Sequence, residues 1–178
     1  VEQAAVVFLT SVLIPLCFAS AVYLGKGNGV IARFYLLWAL GSAWLSDSGA
    51  YFCGRAFGKR KLAPVISPKK TVEGAIGGVI TAAAFMLLIA FAYEKLAPGL
   101  FGVSVAINYY ARGFLTPFFA ALGIFGDLSA CFIKRQYGVK DYCPTMPDHG
   151  GILERFDSVL FTLPSGFIFL PPLPVCQI

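Results

Sequence analysis

The chain has 178 residues, of which 58% are hydrophobic and only 13% charged, with 14 Lys and Arg against 9 Asp and Glu for a net charge of +5. Together with a mean hydropathy of +0.76, this apolar share excludes an ordinary water-soluble domain, in which roughly half or less is apolar. The positive charge sits in two short loops with no soluble domain to carry a duplex-binding face, which argues against nucleic acid. The five cysteines lack CxxC spacing, so neither a disulfide framework nor a zinc site is supported.

Apolar runs of membrane-spanning length, roughly 17 to 25 residues, recur near 4–24, 30–53, 72–93, 114–133 and 156–176. They predict an all-α polytopic membrane helix bundle of about five spans, with residues 1–178 as one membrane-embedded domain. The first run carries Glu2 in place of a basic n-region, is too long for a signal-peptide core and has no clear small-residue cleavage site, so it reads as a true span kinked at Pro15. The chain starts at valine, which suggests the C-terminal portion of a longer protein with further spans before it.

The second run carries Asp47 near its end and leads into a basic stretch, residues 54–71, with Arg55, Lys59, Arg60, Lys61, Lys69 and Lys70. There Lys69 and Lys70 can hold phosphate as point charges. Thr71 is a natural N-cap for the third run, and Glu73 lies in a first turn where the helix dipole favours it. Gly74, Gly77 and Gly78 permit close helix packing. The stripes FMLLIAFAY (85–93) and FLTPFFAALGIF (114–125) read as lipid-facing or packing surface, and Tyr109, Tyr110 and Arg112 as interface anchors.

The fourth run holds Asp127 and ends at Lys134 and Arg135; the fifth is preceded by PDHGGILERFDS, residues 147–158, which crowds four charges around the only histidine. If that helix begins near Ile152, Glu154 and Asp157 share a face. With Asp127 from the neighbouring helix they would offer oxygen ligands suited to magnesium. The same acids serve equally well, on spacing alone, as partners of Arg155, Lys134 or Arg135. His149, Gly150 and Gly151 form a permissive backbone stretch at a helix start, suited to an anion site and equally to a plain turn.

Residues 54–71 and 134–155 emerge on one side and hold ten basic residues, Lys140 and Arg155 among them. The other side holds only Lys26, Arg33, Lys95 and Arg112. The positive-inside rule makes the basic side cytoplasmic. Asp47, Glu73, Asp127, Glu154 and Asp157 all lie toward it, and intramembrane carboxylates are costly enough to imply function. Acids between helices also suit a cation or phosphate transporter, although paired half-repeats with interrupted helices are absent.

Taken together, SACFIKRQYGVKDYCPTMPDHGGILERFDS (129–158) resembles the C-terminal signature of the phosphatidate cytidylyltransferases, or CDP-diacylglycerol synthases. SDSGAYFCGRAFGKRKLAPVISPKKTVEGAIGG (46–78) is similar to that family's other cytoplasmic stretch. The chain departs from the pattern at Glu154, where aspartate is usual, at Asp148 for glycine, at Cys131 for serine, and at Ala130, where bacterial members often carry glutamate.

The resemblance implies transfer of CMP from CTP to phosphatidic acid in a lipid bilayer, with the active site facing the cytoplasm of a bacterial plasma membrane or an organelle membrane. An ether or isoprenoid lipid phosphate is the near alternative acceptor. It implies catalytic roles for Lys134, Arg135, Lys140, Asp141, His149 and Arg155. Substrate contacts fall to Ser67, Lys69, Lys70, Thr71, Gly150 and Gly151, and Asp127, Glu154 and Asp157 would hold Mg2+, with room for a second cation. The glycine-rich helix faces are compatible with a homodimer.

Overall fold

The structure is a computed structural model describing residues 2–26, 29–136, 138, 156–171 and 176–177. In chain order the elements are α1 (Glu2–Gly25), α2 (Gly29–Phe57), β1 (Lys61–Ala63), β2 (Ser67–Thr71), α3 (Val72–Phe101), β3 (Val105–Ala106), α4 (Tyr109–Gln136), α5 (Val159–Phe169) and β4 (Cys176–Gln177). The helices form the expected all-α bundle. Three of them, α2, α3 and α4, are long and apolar enough to cross a membrane. At 1.5 Å per residue their 28 to 30 residues reach about 42 to 45 Å, beyond the roughly 30 Å of a hydrocarbon core.

The ends differ from expectation in informative ways. Helix α1 continues through Pro15. Among its described residues the fifth run, expected over 156–176, is helical across the 11 residues of α5, about 16 Å. Its last helical bond runs from the Leu170 N–H to the Gly166 carbonyl at 3.0 Å, because the succeeding Pro171 and Pro172 have no N–H to donate. Two short antiparallel strand pairs were not foreseen. One joins β1 to β2, with Lys61 opposite Thr71 and Ala63 opposite Ser67, and the other joins β3 to β4.

Helices α2 and α3 lie against each other along their glycines. A methyl group at Gly78 would stand 2.5 Å from the Ser46 carbonyl oxygen, and one at Gly74 would stand 2.8 Å from that of Ala50. Only glycine permits this approach, as the sequence suggested for both. The apolar core further along is built from Phe34, Trp38, Met86 and Phe119, all fully buried.

Arg112 corrects an expectation. Instead of anchoring at an interface it is 1% exposed, its guanidinium 5.2 Å from the Tyr35 ring centroid, 5.6 Å from Phe34 and 5.8 Å from Trp38. A planar, weakly hydrated cation can stack on aromatic faces where an ammonium could not. Tyr110 is 94% exposed, as an anchor should be, and the Tyr109 hydroxyl donates to Glu94.

Candidate active site

The β1–β2 hairpin is bolted to the start of α3. Thr71 ends β2 in an extended conformation and caps α3, its hydroxyl accepting the Gly74 N–H at 3.1 Å. The Val72 N–H donates to the Arg60 carbonyl at 2.9 Å. Glu73 sits in the first turn as expected, and its carboxylate accepts the N–H groups of Lys59 and Arg60, each at 3.1 Å. Glu73 is therefore committed to holding the hairpin and does not join the other acids.

From this fixed base β2 presents two lysines differently. Lys69 is exposed, whereas Lys70 turns inward and its ammonium pairs with the Asp127 carboxylate, with side-chain exposures of 25% and 22%. Asp127 lies on α4, one turn before Cys131, whose thiol donates to it at 3.5 Å, and two turns before the buried Lys134.

Asp47 comes from α2, and its Oδ2 accepts the Ser158 hydroxyl at 2.5 Å. Asp157 belongs to the turn before α5, where its Oδ1 accepts the Ser158 N–H at 2.8 Å. Gly126 lets that turn press against α4, since a Cβ there would stand 2.7 Å from the Asp157 carbonyl oxygen.

Three carboxylates from three parts of the chain thus act on one another. Asp47 feels both Asp127 and Lys70. Burial, and then the Asp127 carboxylate, push the Asp157 carboxyl up to about 7; Asp47 adds to this, and the Ser158 N–H and Lys134 oppose it. Among the described residues no three acids, thiols or imidazoles stand close enough together to ligate one ion as they are.

Beside the cluster lies a cavity of about 400 Å³ whose wall includes Asp47, Asp127, Lys69, Lys70, Thr71 and Arg55. Its wall thus combines two acids and three cations with the apolar Ala50, Leu62, Ala75 and Ile124. Such a lining can receive a polyanion through the cations and a divalent ion through the acids.

The structure brings Lys70, Asp127, Asp157 and Lys134 together and sets Lys69 and Thr71 on the cavity wall. Asp157 and Lys134 do not line that cavity, and neither do two other expected contacts. Ser67 pairs with Ala63 in the hairpin, and Arg135 donates its Nε–H to the Ile66 carbonyl at 3.3 Å. Helix α5 begins at Val159 and leaves Asp157 in the preceding turn, and the expected helix face shared with Glu154 falls on a residue outside the described ones. Lys140, Asp141, His149, Gly150, Gly151, Glu154 and Arg155 lie outside the described residues.

Sequence reasoning noticed Asp47 as one of the converging acids but gave it no role. It missed Ser158 and Arg55 as members of the site. Their signal was present, since Asp47 and Arg55 fall in the family-like stretch 46–78 and Ser158 closes the stretch 129–158.

Comparison with known proteins bears on this geometry. The Cytidylyltransferase family matches residues 1–172. The chain is similar to the phosphatidate cytidylyltransferase of Bacillus subtilis, 37% identical over 169 residues that cover 95% of this chain and 59% of that protein. It is similar to that of Staphylococcus haemolyticus, 40% identical over 83% of this chain and 55% of the relative. A third, from Haemophilus influenzae, is 43% identical over 74% of this chain and 43% of the relative. The chain therefore spans about half the length of the curated relatives it matches.

Proposed function

The chain belongs to the cytidylyltransferase family, and we propose that it forms the catalytic part of a membrane enzyme transferring CMP from CTP to phosphatidic acid. A phosphate oxygen of the lipid attacks the α-phosphorus of CTP, forming a new P–O bond as the α–β phosphoanhydride bond breaks. The products are CDP-diacylglycerol and pyrophosphate. The observation that carries the reading is the cluster of Asp47, Asp127 and Asp157 beside a cavity also lined by Arg55, Lys69 and Lys70. A nucleoside triphosphate needs both signs of charge, cations for its oxygens and acids for its metal.

The donor set fits magnesium. Its ligands are hard carboxylate oxygens, it needs only one or two of them together with waters, and a cation, the Lys70 ammonium, already sits on Asp127. When bound, magnesium supplies charge neutralisation and a clamp for the attacking and leaving oxygens. Asp127 and Asp157 would hold it beside Asp47, with Glu154 as the family resemblance implies, and a second cation is compatible with four acids.

The protein's own groups account for the rest. Lys69 and Arg55 would receive the triphosphate in the cavity, and Lys134 offsets the buried acids. Lys140, Asp141, His149, Gly150, Gly151 and Arg155 would complete the phosphate contacts, as the family resemblance implies. A lipid phosphate is already largely ionised near neutral pH, so no strong general base is required. The basic hairpin supports placing this site at the cytoplasmic face of a bacterial plasma membrane.

The test is a membrane assay with CTP labelled at its α-phosphate and phosphatidic acid. A labelled liponucleotide that depends on magnesium is expected. Ion movement across vesicles without that product would overturn the enzyme reading. Offering an ether or isoprenoid phosphate in the same assay separates the acceptors.

A further inference from the structure

We propose that Lys70 is a resident counter-cation on Asp127 which a divalent ion displaces, and that the freed ammonium then turns to the nucleotide phosphates. Metal and triphosphate binding would thereby reinforce each other. The inference rests on the metal-dependent reading above and concerns how the protein's own residues respond to the ion.

Three features carry it. First, the Lys70 ammonium occupies the Asp127 carboxylate, and no three acids are gathered around one point among the described residues. Asp127 must let go of Lys70 before it can serve an ion fully. Second, the backbone of Lys70 cannot follow a departing side chain. The residues after it are held by the Thr71 cap, the Val72–Arg60 bond and the Glu73 carboxylate on Lys59 and Arg60. Only the flexible four-carbon stem moves, and it already borders the cavity that Arg55 and Lys69 also line.

Third, charge favours exchange over addition. Asp47, Asp127 and Asp157 face Lys70 and Lys134, three negative charges against two positive. A divalent ion added beside both lysines leaves one formal positive charge among buried groups, whereas exchanging it for Lys70 leaves none. A ligand that binds one arrangement better draws the protein toward it, and the second ligand gains by the same factor. Lys69 is exposed and pairs with no acid among the described residues, and has no such part.

Two measurements on the purified, membrane-reconstituted protein test this. In the unaltered protein, acylation of Lys70 followed by mass spectrometry should accelerate several-fold on adding Mg2+, with Lys69 unchanged. An unchanged or slower Lys70 would overturn the proposal, and no variant has to fold for this reading. Binding of Mn2+ alone, followed by electron paramagnetic resonance, should tighten about fivefold or more in Lys70→Met and stay within about twofold in Lys69→Met.

The outcomes separate the two ideas. If Mn2+ binds in a manner lost in Asp127→Asn but Lys70→Met is no tighter, the metal reading stands and the counter-cation falls. If neither the unaltered protein nor Lys70→Met binds Mn2+, both fall.

Discussion

The Ser158 hydroxyl donates to Asp47 Oδ2 at 2.5 Å across 111 residues of sequence, and the Ser158 N–H bonds Asp157 Oδ1. One serine thus fixes two of the three acids, joining the C-terminal half of α2 to the turn before α5. Ser158→Ala is expected to lower kcat roughly tenfold, equivalent to about 1.4 kcal/mol, by freeing the Asp47 carboxylate. Ser158→Thr keeps the hydroxyl and should retain most of the activity. Equal losses in the two variants would show that the hydroxyl does not matter.

Removing the charge of Asp157 or Asp47 bears on ion holding directly. Asp157→Asn and Asp47→Asn should each reduce turnover by roughly a hundredfold or more while leaving the protein inserted, because a neutral amide is a poor ligand for a hard cation. Activity within a few-fold of the parent, measured on matched amounts of inserted protein, would remove either residue from the site.

The raised Asp157 carboxyl gives a pH dependence of defined sign. Its ordinary value is 3.8 and burial lifts it to about 7. The folded protein therefore binds a proton more tightly than the unfolded chain, and the stability this contributes is lost as pH rises through about 7. Without metal, Tm should fall as pH rises from about 4 to about 7 and level off above, and less so in Asp157→Asn. Magnesium needs the ionised form, so its affinity should rise over the same interval with release of a proton. Calorimetry in buffers of differing ionisation enthalpy reads that proton.

The contact between α2 and α3 predicts an asymmetry among glycines. Gly78→Val would drive carbon into the Ser46 carbonyl and the Ala50 side chain, costing about 1 to 3 kcal/mol as overpacking. Gly99→Ala meets nothing within 4 Å and should be neutral or stabilising by about 0.5 to 1 kcal/mol, since glycine is a poor helix former. Thermal unfolding in detergent compares the two.

Much of this was legible because hydrophobic runs of bilayer length leave little choice of element. The N-cap at Thr71 and the close-approach glycines at 74 and 78 are local rules that tertiary context did not override. Arg112 was misread because spacing cannot show that Phe34, Tyr35 and Trp38, a whole helix away, would converge on it. The length of α5 was misread because an apolar run continues through prolines that end a helix. Asp47 was seen but not assigned, since its nearness to Asp127 and Asp157 depends on how three helices pack, and that information is not periodic.

The hold of Glu73 on the hairpin reaches into kinetics. From Gly54 to Thr71 the chain carries six basic residues and no acidic one, and the acid that follows is turned onto backbone N–H groups. Nothing within that segment quenches its field. On the proposed reading the hairpin would act as an antenna for polyanions, and the encounter rate with a triphosphate should drop steeply with ionic strength even where the chemical step does not.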